Sequence, residues 1–377
     1  DFVVIMPLGP TFMNDFGISP GEFGALVSSY NFSAALCGFV FGAMADSFDR
    51  KKLLLFCLMG FTSGTFLCAL ADNFGFLLGA RILTGGFGGI LNALIFAMAT
   101  DLVPFERRGK AMGVIMSAFS VASVLGIPLG LAIADYVGWE MTFVYIASMS
   151  FFFLLCSGIV FPQMNQHIRS HGAAQTLKRF AGLLVNRNYL IAFVYIFFVA
   201  ISMFLLIPFM APYAVKNMDI ATTDLKYMYL VGGAFTVITA RIFGKLTDSF
   251  GALKMFGILS FVSIFPVLLY THAGPMNLFS FLALSVFFMT IISGRMIPCM
   301  TLLSAIPLDK DRGSFMGVLN SVRALGSATA TLIAGMIIQE NQAGLRFFDV
   351  TGYLSILFVL VAIILGIWLK SFQKESL

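Results

Sequence analysis

Charge is what this sequence has least of. Asp, Glu, Lys and Arg together make up 11% of its 377 residues, against 59% hydrophobic side chains. A soluble domain carries about 25% charged residues and roughly 45–50% apolar ones. A water-soluble globule is therefore excluded, and so is a basic surface for nucleic acid. Histidine is reduced to three positions. His167 and His171 stand at i, i+4 spacing without a carboxylate cluster, and His272 is alone, so no metal is expected. The five cysteines (Cys37, Cys57, Cys68, Cys156 and Cys299) lie in apolar runs with no CxxC spacing. They read as small hydrophobes, not as disulfides or metal ligands. A GxxxxGKS/T phosphate loop is missing, which argues against a primary ATP-driven pump, and so is a GxSxG nucleophile turn. No catalytic constellation accompanies the apolar runs, and an enzyme is not expected.

What the sequence has in abundance is apolar stretches near 20 residues, the length of a bilayer span. Spans are read at 1–16, 21–45, 53–71, 74–102, 111–135, 141–161, 189–215, 225–247, 253–272, 277–305, 314–339 and 348–370. The first is short. Phe2 to Met13 gives about 18 Å of helix, too little to cross. The natural chain is expected to start upstream, with Asp1 inside the first helix.

Basic residues set the orientation. Arg50, Lys51, Lys52, Arg107, Arg108, Lys110, Arg169, Lys178, Arg179, Arg187, Lys245, Lys254, Lys310, Arg312, Lys370 and Lys374 fall on one set of loops and the tail. The alternate loops hold only Lys216, Lys226 and Arg346. The first set is assigned to the cytoplasm, with both termini there, which requires an even number of spans. The longest polar break, 162–188, divides the spans six and six. Within it, Ala173 to Val185 is read as an amphipathic helix on the membrane surface; the alternative is a plain tether. The organisation is then a six-helix bundle over 1–161, a linker over 162–188 and a second bundle over 189–377.

The halves are copies. Gly42, Asp46 and Phe48 recur as Gly244, Asp248 and Phe250, and Pro104, Arg108, Gly109 and Gly113 recur as Pro307, Arg312, Gly313 and Gly317 at nearly the same offset. Both matched loops fall on the basic side, so the repeats are parallel. The fold class is all-α transmembrane: twelve helices as two pseudo-symmetric six-helix bundles. Such pairs enclose a site near the midplane and open it to each side by rocking.

Charges inside spans mark candidate sites, because each is costly in hydrocarbon. Asp1 is either a proton-coupling carboxylate or a helix-end charge. Arg295 lies within the tenth span, at the place that Asn92 holds in the first copy. An inward-facing Arg295 serves an anionic substrate or pairs with a carboxylate such as Asp1; otherwise it packs or gates. Arg241 and Arg323 lie nearer the basic ends and are read as snorkelling or gate residues.

Several motifs carry a family resemblance. Gly42-x-x-x-Asp46-x-x-x-Arg50-Lys51 resembles the loop signature of the major facilitator superfamily. Ala80-Arg81 through Gly85-Gly86 and Gly88-Gly89 is similar to the fourth-helix signature of its proton-driven branches, and Gly126-Ile127-Pro128-Leu129-Gly130 resembles the fifth-helix signature of the antiporters, with Gly-x-Pro for the usual Gly-Pro. The chain as a whole is similar to the twelve-helix drug:proton antiporters and their sugar-efflux-like members. The resemblance implies an inner gate in which Asp46 meets the start of the eleventh helix and Arg50 reaches Asp101. Gly42, Arg108, Asp248 and Arg312 belong to that gate, while Ala252 stands where a second Arg50 would. It implies a role for Arg81 in proton movement, the alternative being a structural arginine. It also places Tyr30, Asn31, Tyr195, Ser202 and Thr236 on cavity-lining spans.

The expected function is secondary active transport by alternating access, most specifically proton-coupled efflux of a small amphipathic or organic anionic compound. An uptake carrier or facilitator for a small organic anion is the alternative. The expected setting is a bacterial plasma membrane, multi-pass. A proton gradient is the driving force, with no cofactor, and nothing demands more than a monomer.

Overall fold

The computed structural model describes residues 1–44, 49–103, 115, 118, 121–162, 182–308, 311–342 and 344–375. Helices follow one another in the predicted order: Gly9–Asp15, Pro20–Met44, Arg50–Ala69, Phe74–Leu102, Ile127–Val137, Trp139–Val160, Arg187–Phe204 continued by Met210–Asn217, Leu225–Phe250, the pair Ala252–Val262 and Ile264–Thr271, the pair Leu278–Gly294 and Met296–Ser304, Arg312–Ile337, and Phe348–Glu375. Nine described segments are long and apolar enough to cross a membrane. Of the linker's expected surface helix, only residues 182–185 are described, and they are helical; the remainder, like His167 and His171, lies outside the described residues.

Side-chain caps give several helices a defined start. Asn73 accepts from the Phe76 amide at 2.9 Å, and Asn277 accepts from Ser280 at 2.9 Å. Ser19 and Glu22 form a reciprocal box: the Ser19 amide donates to Glu22 at 2.8 Å and the Glu22 amide to Ser19 Oγ at 3.3 Å. Such side chains satisfy amides that the helix leaves without partners.

Proline explains where the long helices break. A proline at position i has no N–H for the carbonyl at i−4. Helices of the seventh, ninth and tenth spans end at Phe204, Val262 and Gly294, four residues before Pro208, Pro266 and Pro298. The Phe204 carbonyl released in this way accepts from Thr331 Oγ1 of the eleventh span at 3.4 Å. In the fifth span, Pro128 instead follows a π turn over Ala122–Gly126. The first span departs from the expected helix over 1–16. Turns run through Phe2–Leu8, with bonds such as Gly9 N to Met6 O at 3.1 Å, and the helix starts only at Gly9. Pro7 and Pro10 remove the amides that an earlier start would need.

Two backbone approaches set the packing. A Cβ at Gly85 or Gly89 of the fourth span would stand 2.3 Å from the Tyr30 carbonyl oxygen or 2.1 Å from that of Ala34. Only glycine lets these spans come so close, the small-xxx-small packing of membrane helices. Across the halves, Gly24 of the second span meets Gly335 and Thr331 of the eleventh; a Cβ on Gly24 would stand 2.9 Å from the Thr331 carbonyl. The halves also touch between the fifth and eighth spans and between Gly9–Asp15 and Met210–Asn217. The last contact, together with Gly24, lies on the face opposite the basic loops. There Phe23 meets Phe209 edge-on at 5.6 Å, and Lys226 donates to Asp135 at 3.2 Å. On the same face, a β-hairpin pairs Gln339–Asn341 with Gly344–Arg346 before the last span. Asn217 pins it, donating to the Leu345 carbonyl at 3.0 Å and accepting from its amide at 2.9 Å, and Lys216 pairs with Glu340 beside it.

Candidate functional site

The first buried charge site lies wholly within the first half. Arg81 projects from the fourth span, and its Nη1 donates to Asp1 Oδ2 at 2.7 Å; the two side chains are 0% and 1% exposed. Tyr30 of the second span turns its ring under the guanidinium, 4.5 Å from centroid to Cζ, and Phe2 stacks on that ring at 5.4 Å. A desolvated cation on an aromatic face gains about 2 kcal/mol. The pair is incompletely satisfied: Asp1 Oδ1 and Arg81 Nε and Nη2 have no protein partner among the described residues.

Arg295 sits elsewhere and differently. It occupies the break in the tenth span and is 1% exposed. Its Nη1 donates to Ser263 Oγ at 3.3 Å, and Ser263 occupies the break in the ninth span. The two proline-induced interruptions therefore meet through this contact. Tyr195 and Cys299 lie close enough to interact with the guanidinium. The expected alternative of an Arg295–Asp1 pair is overturned, since Asp1 is held by Arg81. Arg295 faces the ninth span, whose described packing is against the eighth, tenth and twelfth, so its side chain turns into the second half. Asn92, its counterpart by position, is exposed on the fourth span, and the two do not share an environment.

The remaining candidates are dispersed. Asn31 is buried, and its Nδ2 has no partner among the described residues. Tyr195 is buried and packs edge-on to Phe256 at 5.3 Å. Ser202 and Thr236 donate to carbonyls of their own helices, Val199 at 2.8 Å and Gly233 at 2.7 Å. Of the expected gate, Gly42 lies in the last turn of the second span's helix, Arg50 is buried at the start of the third, and Asp248 is exposed at the end of the eighth. Arg241 is exposed and Arg323 half-buried. Asp46 and Arg108 lie outside the described residues, as do the side chains of Asp101 and Arg312.

These features, two helical halves closed on one face with buried charge in each, can be set beside known proteins. The sequence family described as Major Facilitator Superfamily matches residues 1–331 and also residues 192–376. This chain belongs to the Major Facilitator Superfamily. A superfamily relative, "Uncharacterized MFS-type transporter YceJ" of Bacillus subtilis (strain 168), is 24% identical over 387 residues, covering 100% of this chain and 94% of the relative. "Multidrug resistance protein 2" of the same organism is 23% identical over 390 residues, covering 99% and 91%. Among solved structures, a bacterial homolog to the human lysosomal transporter Spinster, in an inward-facing and unoccupied conformation, superposes with a TM-score of 0.75 at 15% identity over 99% of this chain and 94% of that one. The superfamily membership makes the chain a multi-pass membrane transporter and not an enzyme.

Two contributors escape a reading of the sequence. Ser263, the partner of Arg295, is one serine among many in apolar helices. Lys226 reads there only as an orientation marker, yet it ties the eighth span to Asp135 of the fifth. No spacing in the sequence links residues so far apart.

Proposed function

We propose that this transporter exports a small amphipathic or organic anionic solute in exchange for protons, by alternating access. The observation that carries the reading is the buried, half-satisfied Asp1–Arg81 pair. Protonation of Asp1 cancels its attraction for Arg81, so the inner contacts of the first half differ between the two protonation states, as coupling requires. The bundles 1–161 and 189–377 are the rocking units. Asn31 and Asn92 are the polar contacts for solute, with Arg295 set back from the interface. The basic loops face the cytoplasm of a bacterial plasma membrane, with both termini on that side. With the opposite face shut by Phe23, Phe209 and the Asp135–Lys226 pair, the conformation is then closed to the outside. Relatives that carry the name multidrug resistance protein favour export.

The test uses the monomeric chain in inside-out vesicles with an acid interior. A labelled amphipathic cation, an organic anion and a sugar are followed in turn. Gradient-driven accumulation of one of them is expected. In Asp1→Asn it drops by at least an order of magnitude, while solute counterflow, which needs no net proton movement, persists. Driven transport at the parent rate in Asp1→Asn would remove Asp1 from coupling. Accumulation only with the gradient reversed would make the chain an uptake carrier.

A further inference from the structure

The charge of Arg81 outlasts that of its partner. A guanidinium stays protonated at every working pH, whereas Asp1 is an anion only until it takes a proton. Once Asp1 is protonated, Arg81 is a buried cation without a carboxylate, a costly condition inside a membrane. Among the described residues, the titratable groups that face it are Asp1, Tyr30 of the second span and Cys68 of the third. A thiol is a weak acceptor. Thr84, on the same helix as Arg81, donates its hydroxyl proton to the Ala80 carbonyl at 2.7 Å. What remains is the face of Tyr30, whose ring centre stands 4.5 Å from the guanidinium carbon. The negative face of an aromatic ring attracts a cation without gaining or losing a proton.

Neighbouring spans build a seat for that ring. A Cβ on Gly88 of the fourth span would lie 2.3 Å from the Tyr30 hydroxyl oxygen, so a side chain there would displace the phenol. Gly85 gives the Tyr30 carbonyl the same clearance. Phe2 stacks on the ring at 5.4 Å, so the residue next to Asp1 supports the ring while Asp1 holds the guanidinium. None of these contacts depends on the charge of the carboxylate. We propose that Tyr30 is a positioning residue for coupling: its ring holds Arg81 in place while Asp1 is protonated, so that the ion pair re-forms when the proton leaves. This role rests on the reading of Asp1 as the coupling carboxylate.

Two measurements on the full-length chain test this role. The first is a double-mutant cycle read by thermal unfolding in detergent. Tyr30→Leu is expected to lower the melting temperature more in Asp1→Asn than in the parent, by about 2 °C, because the ring there faces the cation without a carboxylate. Equal drops in the two backgrounds would overturn the proposal. The second is the pH profile of gradient-driven transport in vesicles. Tyr30→Phe keeps the ring and is expected to keep the parent midpoint. Phenylalanines with one, two and three ring fluorines at the same position weaken the negative face at nearly constant shape. Each step is expected to move the midpoint towards acid, by about one pH unit in all, since the protonated state loses its support. A midpoint indifferent to fluorination would also overturn the proposal. Should the double variant fail to fold, the fluorinated series decides alone. Driven transport at the parent rate in Asp1→Asn would defeat the coupling reading, and the cycle would still decide whether the ring holds Arg81.

Discussion

Two arginines, both fully buried and both on the fourth helix of their half, meet their charge in opposite ways. Arg81 has a carboxylate at 2.7 Å and an aromatic ring beneath it. Arg295 has one long bond to a serine at the break of a neighbouring span. The contrast arises in the backbone. The fourth span is an unbroken helix from Phe74 to Leu102, and the tenth is interrupted at Arg295 by Pro298. The interruption reorients the side chain towards the ninth span, itself broken at Ser263 by Pro266. Duplicated halves can therefore diverge in chemistry through a proline in each of two spans of one half, without any change of fold.

The sharpest way to break this comparison is to remove each charge in turn. Arg81→Gln leaves Asp1 buried without its partner, and a loss of about 3–5 kcal/mol is expected. Arg295→Gln strands no protein carboxylate, so its cost is set near that of a buried hydrogen bond to a charged group, about 1.5–3 kcal/mol. Denaturant-monitored unfolding in one detergent checks the ordering, and equal losses would erase the distinction. A smaller effect is expected where the halves meet. Gly24→Val pushes side-chain atoms against the Thr331 carbonyl and Gly335, and overpacking of this kind costs about 1–3 kcal/mol. The variant shifts the population towards opening on the Phe23–Phe209 face, read as faster labelling of a cysteine placed at the buried Ile18. The smallest effect belongs to the partly exposed Asp135–Lys226 pair. Asp135→Asn is expected to weaken the same closure by about 0.2–1 kcal/mol. Exchanging the two charges, Asp135→Lys together with Lys226→Asp, should restore it.

The span order and the basic-side asymmetry were legible, because composition and period act over whole segments. The partners of individual charges were not. Each residue advances a helix by about 100°, so a small shift at a break decides which neighbour a side chain meets. Asp1 and Arg81 both stand out in the sequence, and what it does not show is only that they touch. Arg295 stands out too, but its rotation towards Ser263 depends on two prolines acting in different spans. The first span failed in a related way: hydropathy reads Phe2–Met13 as one apolar run and is blind to the amides lost at Pro7 and Pro10. The hairpin after the eleventh span was invisible as well, since its short strands are held by Asn217 at the end of a distant helix.

The bare glycine contact between the second and eleventh spans has a kinetic consequence. Where helices interlock, knobs must be withdrawn from their sockets before the surfaces part. Gly24 and Gly335 offer neither, so backbone lies on backbone and separation needs no side chain to leave a niche. Such a seam resists little until the helices touch and then stops abruptly. It acts as a smooth bearing with a hard end-stop, suited to a machine that must cycle many times without wearing into one position.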